Sequence, residues 1–290
     1  MAHFQNPRHR GFTLTRFVSS FYKTFLRDGL GWLQAGRPRV YLAAFGKHPA
    51  WDDHMDDIGL ETESLVTLKR VLYLEGITRN LATGAWEKLD DSARLPGFNH
   101  IFRWQRGSQF LVGTIMASRD GKGRAHYPLI FCAHVIGPPA PLAAAIEDTL
   151  RSLQAQCSES ASTEQIRGFV NEALQNLRGA ALSTKSSPTS LPFIQLGELP
   201  ELAPFHTGKF RARNEPAASQ ARIARNAPPK IVDLEALIAA VQKQIDEDVP
   251  VLLLAPLFAT TAWINVIAGN PAPGDFFCLR SSAPAQHPAE

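Results

Sequence analysis

The chain has 290 residues, 44% of them hydrophobic and 20% charged, with a net charge of +3, which is enough to bury one substantial core or two modest ones. No run of about 18 apolar residues is present, so no bilayer-spanning helix is expected. Cys132, Cys157 and Cys278 are odd in number and follow no metal or disulfide spacing, which predicts core thiols of a reducing, cytoplasmic compartment.

Residues 1–38 form a basic arm, holding six of the 30 Lys and Arg but only one acid, Asp28, of the 27 Asp and Glu. Phe17, Phe21 and Phe25 recur at every fourth position beside Leu14 and Val18, which predicts an amphipathic helix with a basic face. Such a stripe can pack on the protein's own body. It can also make a peripheral contact, through residues 12–27, with an anionic inner-membrane surface or a partner's groove. The opening alternates polar and aromatic residues and offers no long apolar segment with a small-residue cleavage site, so secretion is not expected.

A strand is predicted over Arg39 to Phe45, from its β-branched and aromatic content. It gives way to Gly46-Lys47-His48-Pro49-Ala50-Trp51-Asp52-Asp53-His54-Met55-Asp56-Asp57, a turn-forming stretch with four acids and two imidazoles. Two readings stand. His48, Asp52, Asp53 and His54, completed by His126, carry atoms that bind divalent metals and would make a metal-dependent hydrolase. However, His48 and His54 lack the i, i+4 spacing of a helical zinc pair, and the acids do not follow the calcium-loop pattern. The other reading is a solvated turn whose acids cap the next helix, with Asp57 and Thr62 placed to accept backbone N–H groups.

Thr62 to Leu81 predicts a helix, with Leu65, Leu68 and Leu72 on one face and Tyr73, Ile77 and Leu81 on its neighbour. Gly84 and Pro96 bracket the following loop. Strands over Asn99 to Gln105 and Gln109 to Ala117 are joined by Arg106-Gly107-Ser108, a hairpin connection, and Leu129 to Val135 extends the meander. Between the last two strands lies Ser118 to Pro128, whose glycines permit positive φ. It has neither a Gly-Lys-Ser/Thr ending nor a following helix to hold phosphate. An exposed Asp120–Arg124 contact is expected to brace this loop.

Pro141 suits a first helical position, and Leu142, Ile146, Leu150 and Leu153 form an apolar stripe behind it. Ser162 and Gln165 read as a capping box for a helix carrying Ile166, Phe169, Val170, Ala173, Leu174 and Leu177, closed by Gly179. From 183 to 230 the pattern gives way to seven prolines and a basic tract, Lys209, Arg211, Arg213, Arg222, Arg225 and Lys230, against the single acid Glu215 after Phe205. This reads as a flexible insertion. It has little aromatic interleaving, so nucleic-acid binding is not expected. Asp233 then N-caps a helix bearing Leu234, Leu237, Ile238, Val241 and Ile245. Val251 to Phe258, Ala262 to Ile267 and Phe276 to Leu279 read as strands, and residues 283–290 as a frayed tail.

Together these elements predict a mixed α/β (α+β) fold: a single mixed, largely antiparallel sheet covered by helices. Residues 39–182 carry most of it, and 231–282 complete the same sheet across the insertion. No nucleophile elbow, Cys-His signature or dinucleotide fingerprint occurs, so no cofactor is expected.

Gly46-Lys47-x-Pro49-Ala50-x-x-Asp53, followed by Ser118-x-Asp120-x-x-Gly123-Arg124-x-x-Tyr127-Pro128-Leu129, resembles the TagF/ImpM accessory proteins of bacterial type VI secretion. There a strand runs into Gly-Lys-Leu-Pro-Ala-Arg-Gly-Asp-Phe, and a later segment reads Ser-x-Asp-x-x-Gly-Arg-x-Phe-Pro-Leu. Thr260-Thr261-Ala262-Trp263-Ile264 with Phe276 to Arg280 is a third echo. Trp51 and Asp52 stand where the family has Arg-Gly, His54 replaces an aromatic residue, and Ala125-His126 makes the second motif one residue longer. These departures suit a divergent branch with another partner. The resemblance implies no catalytic residues. It implies a non-enzymatic, cytoplasmic regulatory role through protein contacts, for example with a forkhead-associated-type scaffold. Lys47, Pro49, Trp51, Asp53, Asp120, Arg124 and Tyr127 are the candidate partner-binding residues.

Overall fold

The computed structural model describes residues 38–137, 142–183, 219–224, 229–243, 245, 248–258 and 263–282. Several expectations fall outside these residues: the amphipathic arm with its contact through 12–27, Pro141 at a helix start, most of the Pro-rich stretch, and the tail from 283.

The described strands are β1 (Arg39–Gly46), β2 (Asn99–Arg106), β3 (Gln109–Met116), β4 (Leu129–Ile136), β5 (Ser219–Ala224), β6 (Val251–Pro256) and β7 (Trp263–Ala268). They form one seven-stranded sheet in the order β1-β4-β3-β2-β6-β7-β5, and every pairing is antiparallel. The segment after the Pro-rich stretch therefore extends the first meander's sheet by pairing β6 with β2.

Both faces of this sheet are covered, which explains why its strands are apolar throughout instead of alternating. On one face Val40, Leu42, Val112 and Phe131 pack against helices α2 (Ala143–Glu159), α3 (Thr163–Ser183) and α4 (Ile231–Gln242). On the other, Phe45, Phe102, Trp104 and Leu254 meet a helical run, α1, made of three pieces: an α-helical Glu63–Leu68, a π-helical Lys69–Thr78 and an α-helical Arg79–Ala82. Thr62 caps it as expected, its hydroxyl accepting the Leu65 N–H at 3.3 Å. Asp57 does not cap; its carboxylate instead receives the Lys69 ammonium, at 2.5 Å to one oxygen.

The π-helical segment resolves the double stripe seen in the sequence. Wider i→i+5 turns bring residues five apart onto one line, so Leu68 with Tyr73, and Leu72 with Ile77, all face the sheet and are buried. Gly76 is required on this face, because a Cβ there would lie 2.7 Å from the Phe276 ring.

Four local expectations need correction. Phe276 to Leu279 is not a strand but part of a 3-10 helix, Pro273–Leu279. Asp275 accepts the Ala272 N–H at 2.7 Å and starts the turns, and the 3-10 period puts Phe276 and Leu279 on one buried face. Gly179 does not end α3, which continues to Ser183; its φ is not positive, so it forms no left-handed cap. Asp233 is the third residue of α4 rather than its N-cap, accepting the Lys230 N–H at 2.8 Å. Residues 219–224, read as part of the flexible insertion, form strand β5 against β7. There Arg222 is committed to packing, 3.0 Å from Asn265 Oδ1 and 4.7 Å from the Trp263 ring centroid.

Candidate recognition site

The two motif segments meet beyond the ends of β1 and β4. The backbone sets the junction. Gly46 has φ 123°, and a Cβ there would lie 2.2 Å from the Pro128 carbonyl oxygen, a close approach that only glycine permits. The Lys47 N–H donates to the Pro128 carbonyl at 3.1 Å, and the Gly121 N–H to the Trp51 carbonyl at 2.6 Å. A neighbouring bridge pairs Lys47 with His54 and folds the 46–57 stretch back on itself.

A charged lattice locks the junction. Lys47 Nζ lies 2.6 Å from Asp120 Oδ2 and 3.4 Å from Asp53 Oδ1. Arg124 mirrors it, with Nε 2.7 Å from Asp120 Oδ2 and Nη2 3.2 Å from Asp53 Oδ1. Arg124 Nη2 also donates to the Asp52 carbonyl at 2.9 Å. The second Asp120 oxygen accepts the Lys122 and Arg124 N–H groups at 3.1 and 2.9 Å. Burial alone would push the Asp120 carboxyl up; the Lys47 hydrogen bond and the donors from Arg124 override it and hold the group far below the usual carboxylate range. Asp53 moves the same way, with desolvation again outweighed by Lys47 and Arg124.

Exposure divides these residues into two layers. The Asp120 and Lys47 side chains are 0% and 3% exposed, so Lys47 is turned inward and unavailable to a partner, and the Asp120–Arg124 pair is buried at its acidic end rather than fully exposed. Arg124 and Asp53, at 49% and 65%, form the outward layer. Pro49 is exposed beside them, and Trp51 and Tyr127 are half-buried. Tyr127 closes the floor, its ring centroid 5.1 Å from Lys47 Nζ and 5.0 Å from the His54 ring.

The residues of the metal reading do not converge. Ala50 N–H donates to His48 Nδ1 at 3.1 Å, and His48 Nε2 meets the Cys157 carbonyl at 2.7 Å. Neither nitrogen is open to an ion, and burial lowers the imidazole's pKa so that it stays neutral. His48 thus pins the loop to the end of α2. His54 Nδ1 faces Asp53 at 3.2 Å, while Asp52 and His126 are exposed. Among the described residues no group of three His, Cys, Asp or Glu side chains is placed to hold a metal ion.

Sequence reasoning missed a second polar knot beside β1. His134 lies between Thr62 Oγ1 at 2.9 Å and Gln109 Oε1 at 2.7 Å, stacked on Tyr41. A lone imidazole inside the run Leu129 to Ile136 was the available signal.

The fold and site define a three-layer protein with one antiparallel sheet and a paired-loop surface at its β1–β4 edge. No known family model and no curated protein matches the chain. Among solved structures, the crystal structure of PA0076 from Pseudomonas aeruginosa PAO1 is similar at 17% identity, covering 86% of this chain and 98% of that one with a TM-score of 0.40. A likeness at that level identifies neither family nor function. Among the described residues no helix is long and apolar enough to cross a membrane.

Proposed function

We propose that this chain is a non-enzymatic accessory or regulatory protein of a bacterial type VI secretion apparatus or a related signalling assembly, acting in the cytoplasm through protein contacts. The reading is carried by one observation: the two segments that resemble the TagF/ImpM motifs, with Lys47 and Asp120 separated by 73 positions, clasp each other through a buried ion pair. The motif residues thus divide into a clasp, Gly46, Lys47 and Asp120, and a presented face of Pro49, Trp51, Asp53, Arg124 and Tyr127. A surface built this way recognises a partner by shape and charge and contains no nucleophile held against a base. The resemblance suggests a forkhead-associated-type scaffold as the partner.

The test separates the two layers. Trp51→Ala and Arg124→Ala should reduce capture of a co-expressed scaffold, assayed well below the melt of either variant, with a smaller fall in the melt than Lys47→Ala. Lys47→Ala should lower the melt and capture together. Undiminished capture by the Trp51→Ala/Arg124→Ala double variant would exclude this face.

A further inference from the structure

The segment Phe276 to Arg280 takes no part in the paired loops. After its 3-10 turns the chain runs antiparallel to 93–95: Arg94 bridges to Ser281, the Leu95 N–H donates to the Arg280 carbonyl at 2.8 Å, and the Ser282 N–H donates to that of Ala93 at 2.6 Å. This short pairing sets the Arg280 guanidinium over Phe98, 5.2 Å from the ring centroid, and within electrostatic reach of Arg94.

Arg280 is the anomaly. It is half-buried, yet among the described residues it makes no ion pair. Its Nε is enclosed without a partner, and Nη2 reaches only the Leu95 carbonyl, at 3.4 Å. Nη1 makes no hydrogen bond among the described residues and is open to solvent. A charge taken partly out of water is costly unless an anion meets it. Here the neighbouring charge has the wrong sign: burial first, and then Arg94, lower the pKa of Arg280.

Arg94 does not supply the missing acid by way of its own partners. It is held by the carbonyls of Glu87 and Leu89 at 3.0 and 2.8 Å, and its ion pair is with Asp91 at 3.5 Å. Asp91 is 94% exposed, so water screens that pair. The open Nη edge of Arg280 is a planar fork suited to an oxyanion. A second guanidinium beside it favours an anion with nearly two charges, as a phosphate monoester carries, over a carboxylate with one.

We propose that Arg280, with Arg94 beside it, binds a phosphate monoester. The phosphate oxygens would accept from Nη1 and Nη2 of Arg280, and Arg94 would add positive charge from the side. The site shares no residue with the paired loops and goes beyond the role proposed for them. A phosphorylated metabolite and a phosphorylated side chain offer the same group, and the test separates them.

The full chain, with arginine labelled for NMR of the guanidinium N–H groups, is titrated at constant ionic strength with glycerol 3-phosphate and with a blocked phosphoserine peptide. Acetate and dimethyl phosphate, both single-charged, run in parallel. Saturable shifts are expected at Arg280 and Arg94, with at least one monoester binding about fivefold or more tightly than either control; the tighter of the two monoesters identifies the source. Arg280→Gln should abolish the shift at Arg94. Arg280→Lys keeps the charge and the stem over Phe98 but not the fork, and should weaken binding about threefold or more. The proposal is overturned by the absence of saturable shifts, by controls that bind as well as the monoesters, or by binding indifferent to Arg280→Gln and Arg280→Lys.

Discussion

Arg103 provides the most demanding test of the packing described above. It sits in the middle of β2, is 1% exposed, and meets Glu235 of α4 with Nε 2.5 Å from Oε1. Its remaining donors reach the Trp104 carbonyl at 2.8 Å and Gln105 Oε1 at 2.6 Å, and the guanidinium lies 3.7 Å from the Phe110 ring centroid. Burial lowers the pKa of this group while Glu235 opposes the shift. Glu235→Ala leaves that charge in the core with no counterion. Breaking a buried pair from one side costs about 3–5 kcal/mol, which for a domain of this size corresponds to a fall in melting temperature of roughly 6–20 °C. Glu235→Gln keeps an oxygen for Nε and should fall less. Arg103→Met/Glu235→Leu removes both charges, and such apolar replacement of a buried pair is often neutral or stabilising, so the double variant should melt well above Glu235→Ala. Calorimetric melts of the three variants decide the matter. If Glu235→Ala melts within about 2 °C of the wild type, no more than the shift expected for about 1 kcal/mol, water reaches Arg103 and the account of this core is wrong.

Acid should also destabilise the fold. His100 is fully buried with its pKa lowered to about 3, first by desolvation and then by Arg280, and that of His134 is lowered to about 4 by desolvation and Arg39. The unfolded chain binds these protons near pH 6.5, so the stability that neutral imidazoles contribute is complete above that value and is lost as pH falls toward 4 and 3. For His100 alone the full effect is on the order of 5 kcal/mol; urea titrations between pH 7 and 4 should show falling stability, and a flat profile would contradict the burial. Gly46→Ala forces a side chain into positive φ against the Pro128 carbonyl and should cost more than about 1 kcal/mol, together with partner capture; a melt like the wild type's would mean that the junction relaxes freely. The thiols of Cys132, Cys157 and Cys278 are all buried and raised by desolvation, Cys157 to about 11 and Cys278 to about 12. A thiol reagent should therefore titrate none in the native protein and all three in denaturant; a fast-reacting thiol in the native state would contradict this.

Where a signal was local and repeated, the sequence was sufficient. The apolar strands, the Gly107 hairpin, the stripes of α2 and α3, and Thr62 as a cap all follow from side-chain period and turn chemistry, which depend on near neighbours alone. The continuity of the sheet across the Pro-rich stretch was also legible, because the residues after it are too few to form a core of their own. Signals that depend on a distant partner were not legible. Nothing local marks residues 219–224 as a strand, since β7 provides their hydrogen bonds. Phe276 to Leu279 has strand-like composition, and its 3-10 form comes from the Asp275 cap and the face of α1 it covers.

The candidate site shows the same division. The sequence by itself marked two turns, through their glycines, prolines and charges. Only the tertiary structure decided what each charge does there: it buried Lys47 and Asp120 against each other, left Arg124 and Asp53 outside, and used both nitrogens of His48 to anchor a loop. A side chain's role depends on whether water or a partner satisfies it, and that depends on residues remote in the chain.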